Sequence, residues 1–153
     1  MEVASPGPFV PGFGEALLVE ALDAAAAESL PLFEGSSDGD DGGERESLEM
    51  LIERYLSDEH AAHPERGCTL AALGSETRRQ SPKVRGVATR RLKQALALLE
   101  ARLTGSASQR REKAQAMLAT LVGSLLLSRL VNDRELGRSF RKAARRFLQA
   151  AVR

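Results

Sequence analysis

Large apolar side chains recur along this chain at helical spacing, and in one stretch they leave no polar side at all. From Ala116 to Leu130 the single charge is Arg129, while Met117, Leu118, Leu121, Val122, Leu125, Leu126, Leu127 and Leu130 fall all round a helical wheel. A helix that is apolar all round is buried all round, so Gln109 to Val131 is predicted to be the central helix. Spanning a bilayer takes about 20 predominantly apolar residues. Ala119, Thr120, Gly123, Ser124 and Ser128 dilute this run, which is therefore read as a core helix with no membrane contact. One small domain covers only part of such a circumference, so a partner subunit is expected on the rest. Beyond Asn132 and Asp133, the latter the expected cap, Leu136, Phe140, Ala143, Phe147 and Ala151 recur on one face of a closing helix. Two such antiparallel helices, doubled, would form a four-helix dimer interface.

The same pattern organises the remainder. Glu15 to about Leu30 presents Leu18, Leu22, Ala25 and Ser29 on one side, and Glu44 to Ser57 presents Leu48, Leu51, Ile52, Tyr55 and Leu56. A short helix from Cys68 to Gln80 shows Leu70, Leu73 and Thr77. Ser81 and Pro82 then form a start signal, with Ser as cap and Pro at the first helical position. The helix that follows, to Leu103, is expected to bury Val84, Ala88, Leu92, Ala95, Leu96, Leu99 and Leu103, with Arg90, Arg91, Lys93 and Arg102 in water. Between these lie three polar stretches: Asp58 to Arg66, read as an exposed turn; Glu34 to Gly43, read as an acidic surface loop; and Thr104 to Ser108. Met1 to Gly14, with Pro6, Pro8 and Pro11, reads as a loose arm. The expectation is an all-α fold of about six helices in one domain, residues 15–153, behind an arm at 1–14.

Charge changes this picture more than composition does. The net charge of +1 conceals a split: residues 1–60 carry 15 acidic against 2 basic side chains, and residues 61–153 carry 6 against 20. Such halves complement each other or face different partners. A single cysteine, Cys68, forms no internal disulfide. Together with a start that lacks the basic and apolar segments of a secretory leader, it leads to an expected cytoplasmic location.

Candidate chemistry is sparse. Asp38, Asp40, Gly43 and Glu49 match part of a calcium-loop pattern, but Gly42 and Arg45 break it. His60 and His63 stand three apart beside Asp58 and Glu59, a spacing that suits a metal on a helix but not an exposed turn ending in Pro64. Neither histidine is placed to activate a nucleophile, and Cys68 is read as a small packed side chain. No catalytic residue, metal or cofactor is assigned, and an enzyme is not expected. The basic last helix, with Arg134, Arg138, Arg141, Lys142, Arg145, Arg146 and Arg153, lacks interleaved aromatics for base stacking and is read as a solvated outer face.

Several segments, in their order and spacing, resemble the effector-binding domain of TetR/AcrR-type transcriptional regulators. These are Tyr55-Leu56-Ser57 with the following His60, His63 and Pro64, Gly67-Cys68-Thr69-Leu70-Ala71-Ala72-Leu73, Gln80-Ser81-Pro82-Lys83-Val84-Arg85, and Met117 through Arg129 with the closing amphipathic helix. The resemblance runs from about Glu15 to the C-terminus. It implies a helical domain that dimerises through its last two helices and holds a small organic effector between the middle ones. On that basis the pocket wall is assigned to Tyr55, Cys68, Leu70, Leu73, Leu96, Leu99, Met117 and Leu121. The homodimer interface is assigned to Leu118, Val122, Leu125, Leu126, Arg129, Phe140, Ala144 and Phe147. Where the family has a DNA-reading head, Pro11 to Leu18 resembles only the turn that leaves it, without its lysine, and the roughly dozen residues before that turn are too few for a helix-turn-helix. DNA is therefore an expected partner only if a longer form or a partner chain supplies that head. A helical dimer without a pocket, or a headless partner forming inactive mixed dimers with a full-length regulator, is the alternative.

Overall fold

The computed structural model describes residues 13–34, 47–64, 67–71 and 77–152. The expected arm up to residue 12, the acidic loop from 35 to 43 with its calcium-like pattern, and Leu73 lie outside the described residues. The fold is all-α, as the periodicity predicts, with no strand among the described residues. Its helices are α1 (Phe13–Ser29), α2 (Pro31–Glu34), α3 (Leu48–Tyr55), α4 (Asp58–Ala62), α5 (Pro82–Glu100), α6 (Ala107–Leu130) and α7 (Arg134–Val152). A helical turn at 69–71 begins the segment predicted to run from Cys68 to Gln80.

Local chemistry starts most of these helices. Ser47, Ser57 and Ser81 each accept a backbone N–H from three residues on, and Pro82 takes the first helical position behind Ser81. Ser106 and Gln109 cap α6 reciprocally, following Gly105, whose φ of 115° lies in the left-handed region. Asp133 caps α7 as expected, accepting from the N–H groups of Glu135 and Leu136.

The ends of α2, α3 and α4 receive arginines from elsewhere in the chain. Arg54 and Arg102 donate to the carbonyls of Leu32, Phe33 and Glu34 at the end of α2. Arg145 donates to Leu56 O beyond α3, and Arg129 to His60 O and Ala61 O in α4. Terminal carbonyls have no partner within their own helix and carry the negative end of its dipole, so a guanidinium both bonds and neutralises them. Arg102, predicted to face water, and Arg129, predicted at the dimer interface, are thereby engaged inside the chain.

The main core joins Leu51, Ile52, Tyr55 and Leu56 of α3, Ala95 and Leu99 of α5, Met117, Leu118, Leu121 and Leu125 of α6, and Ala144 and Leu148 of α7. On α6 the buried positions 114, 117, 118, 121 and 125 form one stripe at spacings of three and four. The three-residue connection 131–133 folds α7 back along α6. There Gly137 permits close approach, since a Cβ would sit 2.8 Å from Ser128 O. The face that α7 buries is Gly137, Arg141, Ala144 and Leu148; the predicted stripe of Leu136, Phe140, Ala143, Phe147 and Ala151 lies beside it, half-buried at Phe140 and otherwise exposed. A smaller cluster of Leu22, Val84 and Val87 joins α1 to α5. The buried face of α1 is Leu22, Ala26 and Ser29, leaving Leu18 exposed. No helix among the described residues is long and apolar enough to cross a membrane.

Candidate functional site

The residues predicted to wall a pocket divide into two groups. Tyr55, Leu99, Met117 and Leu121 are core residues packed against one another's helices, with Leu96 half-buried at the edge, and none of them lines the void or the groove described below. The helices that carry these five approach closely enough for their side chains to pack against one another. Tyr55 packs against Phe33, with ring centroids 5.7 Å apart, and edge-on against His60 at 4.8 Å. Its hydroxyl has no well-formed hydrogen bond among the described residues. Burial, and then the adjacent Cys68 thiol, hold its pKa well above the ordinary value.

Cys68 and Leu70 do border open space. A void of about 20 Å³ lies between them and Ala26, Ser29, Phe33 and Ala95, room for about one water. Beyond it an open groove of about 250 Å³ runs between α1, α5 and the segments on either side of residues 72–76. Leu22, Ala26, Leu70, Ala88 and Leu92 supply its apolar lining, Thr69, Thr77 and Thr89 its hydroxyls, and Arg78, Arg85 and Arg91 its charge. Of the predicted pocket residues that are described, only Leu70 lines this groove. Leu92 and Ala88, predicted to be buried, line it instead, and Leu92 is 38% exposed.

Hydroxyl bonding fixes the groove's floor to α1. Ser29 Oγ accepts the Thr69 N–H (3.1 Å) and lies 2.7 Å from Thr69 Oγ1, which donates to Ala25 O (2.9 Å). With its one hydroxyl proton so committed, Thr69 Oγ1 can accept from Ser29. This satisfies polar groups that would otherwise be costly to bury. Arg91 is held over the opposite wall by a two-pronged pair with Asp23, Nε at 3.1 Å and a terminal nitrogen at 2.8 Å. Sequence periodicity had no means of finding Thr69, Arg78 or Arg85, which lie in segments or on faces with no apolar repeat.

His60 anchors a second polar cluster. Its Nδ1 lies 2.6 Å from Tyr55 O, which only accepts, so Nδ1 carries the proton; Nε2 then accepts the Cys68 N–H at 3.3 Å. The imidazole is thus neutral, half-buried and used at both nitrogens rather than exposed in a turn. Burial is the main cause lowering its pKa; the Tyr55 carbonyl opposes this, and Arg129 and Arg54 add to it. Gly67 closes over the ring, where a Cβ would lie 2.8 Å from Nε2 and 3.0 Å from the Arg129 guanidinium. Among the described residues no group of three His, Cys, Asp or Glu side chains is placed to hold a metal.

The predicted interface residues also separate. Leu118, Leu125 and Ala144 are buried in the chain's own core, with Val122 packed at its margin, so the first three have no surface to offer a partner. The pattern could not resolve this because α6 is apolar on every side and its own domain claims one face. Phe140 is half-buried, whereas Leu126 is 44% and Phe147 64% exposed. With Leu127, Leu130 and Leu136, likewise exposed, these side chains place an uncovered apolar surface on α6 and α7. Charged residues on α7 turn to the body of the domain: Arg141 pairs with Asp58, and Arg145 with Glu53 at 3.0 Å. Neither a family model, a curated protein nor a solved structure matches this chain.

Proposed function

We propose that this chain is the ligand-binding and dimerisation portion of a TetR-like regulator, sensing a small organic effector. The observation that carries the reading is the apolar surface on α6 and α7. Leu130 is 75% and Phe147 64% exposed on the two helices that the resemblance assigns to the dimer. Large exposed apolar side chains gathered on two neighbouring helices suit an interface, and pairing two copies of a helix hairpin would bury them in a four-helix bundle. The groove between α1 and α5 supports the sensing half, as a concave, mostly apolar site with a few polar groups.

The closed packing around Tyr55, Leu99, Met117 and Leu121 favours a second reading, a helical dimerising module without an effector. Light scattering on the purified chain tests what the two readings share, and a mass near twice 16.5 kDa is expected. A stable monomer at micromolar concentration would remove both. Ligand-dependent stabilisation then separates them, because anything that binds only the folded state raises the melting temperature.

A further inference from the structure

We infer that the groove between α1 and α5 takes a small organic carboxylate with an apolar body. The inference rests on the effector-binding reading and assigns a ligand class to it. Three arginines line one concavity: Arg78 from the turn before Ser81, and Arg85 and Arg91 from α5. Arg91 has a counter-charge, the Asp23 carboxylate at 2.8 Å. Arg78 and Arg85 make no ion pair among the described residues, and no acidic side chain described lines the groove.

Leu22, Leu70 and Leu92 line the same groove, so the apolar body of a ligand can meet hydrocarbon while its charged group meets a guanidinium that has no ion pair among the described residues. A guanidinium binds a carboxylate through two parallel N–H bonds, an arrangement that a hydroxyl or an amide does not reproduce. An amine would bring a positive charge into an already positive groove. At about 250 Å³ the space is small beside the usual range of ligand pockets, roughly 300–1,000 Å³. The body is therefore a short chain or a single ring.

The test is calorimetric titration and thermal denaturation of the full chain with hexanoate and benzoate. Hexanamide and benzamide serve as shape-matched neutral probes, and hexylamine and benzylamine as cationic ones. The acids are expected to bind saturably and raise the melting temperature. Arg78→Gln with Arg85→Gln, both exposed positions, is expected to weaken the acids about tenfold or more, while Arg146→Gln on the far helix leaves them unchanged. Amides binding as well as acids, or acids indifferent to the double substitution, would overturn the carboxylate assignment and leave effector binding standing. A panel in which no compound of any charge binds would overturn both.

Discussion

At the scale of single residues, His60 has the most exacting environment. Its Nε2 is an acceptor facing the Cys68 N–H, so protonation would set donor against donor beside two arginines. The folded-state pKa is lowered, mainly by burial, whereas the unfolded chain titrates near the ordinary value of about 6.5. Below that value the unfolded state binds the extra proton first, so the contribution of neutral His60 is complete above about pH 6.5 and is lost as pH falls. Melting temperature is expected to decline as pH falls below about 6.5, and His60→Gln should flatten that slope. An unchanged slope in His60→Gln would show that other groups govern the acid response. None of this was legible in the sequence, where Asp58 to Arg66 is simply polar; what buries His60 is Tyr55 before it and Gly67 after it.

At the scale of elements, the long helices and their starts were legible and the short helices were not. Ser81 and Asp133 announce their helices because a cap acts within one turn and its chemistry is local. α2 and α4, of 4 and 5 residues, are too short to express a period, and arginines distant in sequence complete their ends. The faces of α6 and α7 were ambiguous for another reason. α7 buries Gly137 and Arg141 against the body and leaves Phe147 outside, because small residues let two helices approach and an arginine can bury its stem while its head reaches Asp58. Two glycine substitutions test this packing with opposite signs. Gly137→Ala must displace the backbone oxygen of Ser128, and is expected to cost about 1–3 kcal/mol as overpacking. Gly86→Ala in α5 meets nothing within 4 Å and should stabilise by about 0.5–1 kcal/mol through helix propensity. Denaturant midpoints of the two variants check both.

At the scale of the whole molecule, the charge split resolves into contacts across the fold. Asp23 pairs with Arg91, Glu53 with Arg145, and Asp58 with Arg141, each joining the acidic part of the chain to the basic part. Their carboxylates stay open to water, where an ion pair contributes only about 0–1 kcal/mol, so hydrophobic burial remains the main source of stability. Association is expected to follow the apolar surface instead: Leu130→Glu with Phe147→Glu should yield monomers by light scattering with the core intact, whereas Leu125→Arg, aimed at a fully buried residue, should unfold or aggregate the chain. A double variant that remains dimeric would place the interface elsewhere. The single cysteine adds a use of its own. Cys68 is 1% exposed and lies between the His60 cluster and the groove, so a thiol reagent reaches it only when that corner opens. The chain thus carries a built-in clock, whose labelling rate at a fixed pH should slow when the groove is filled.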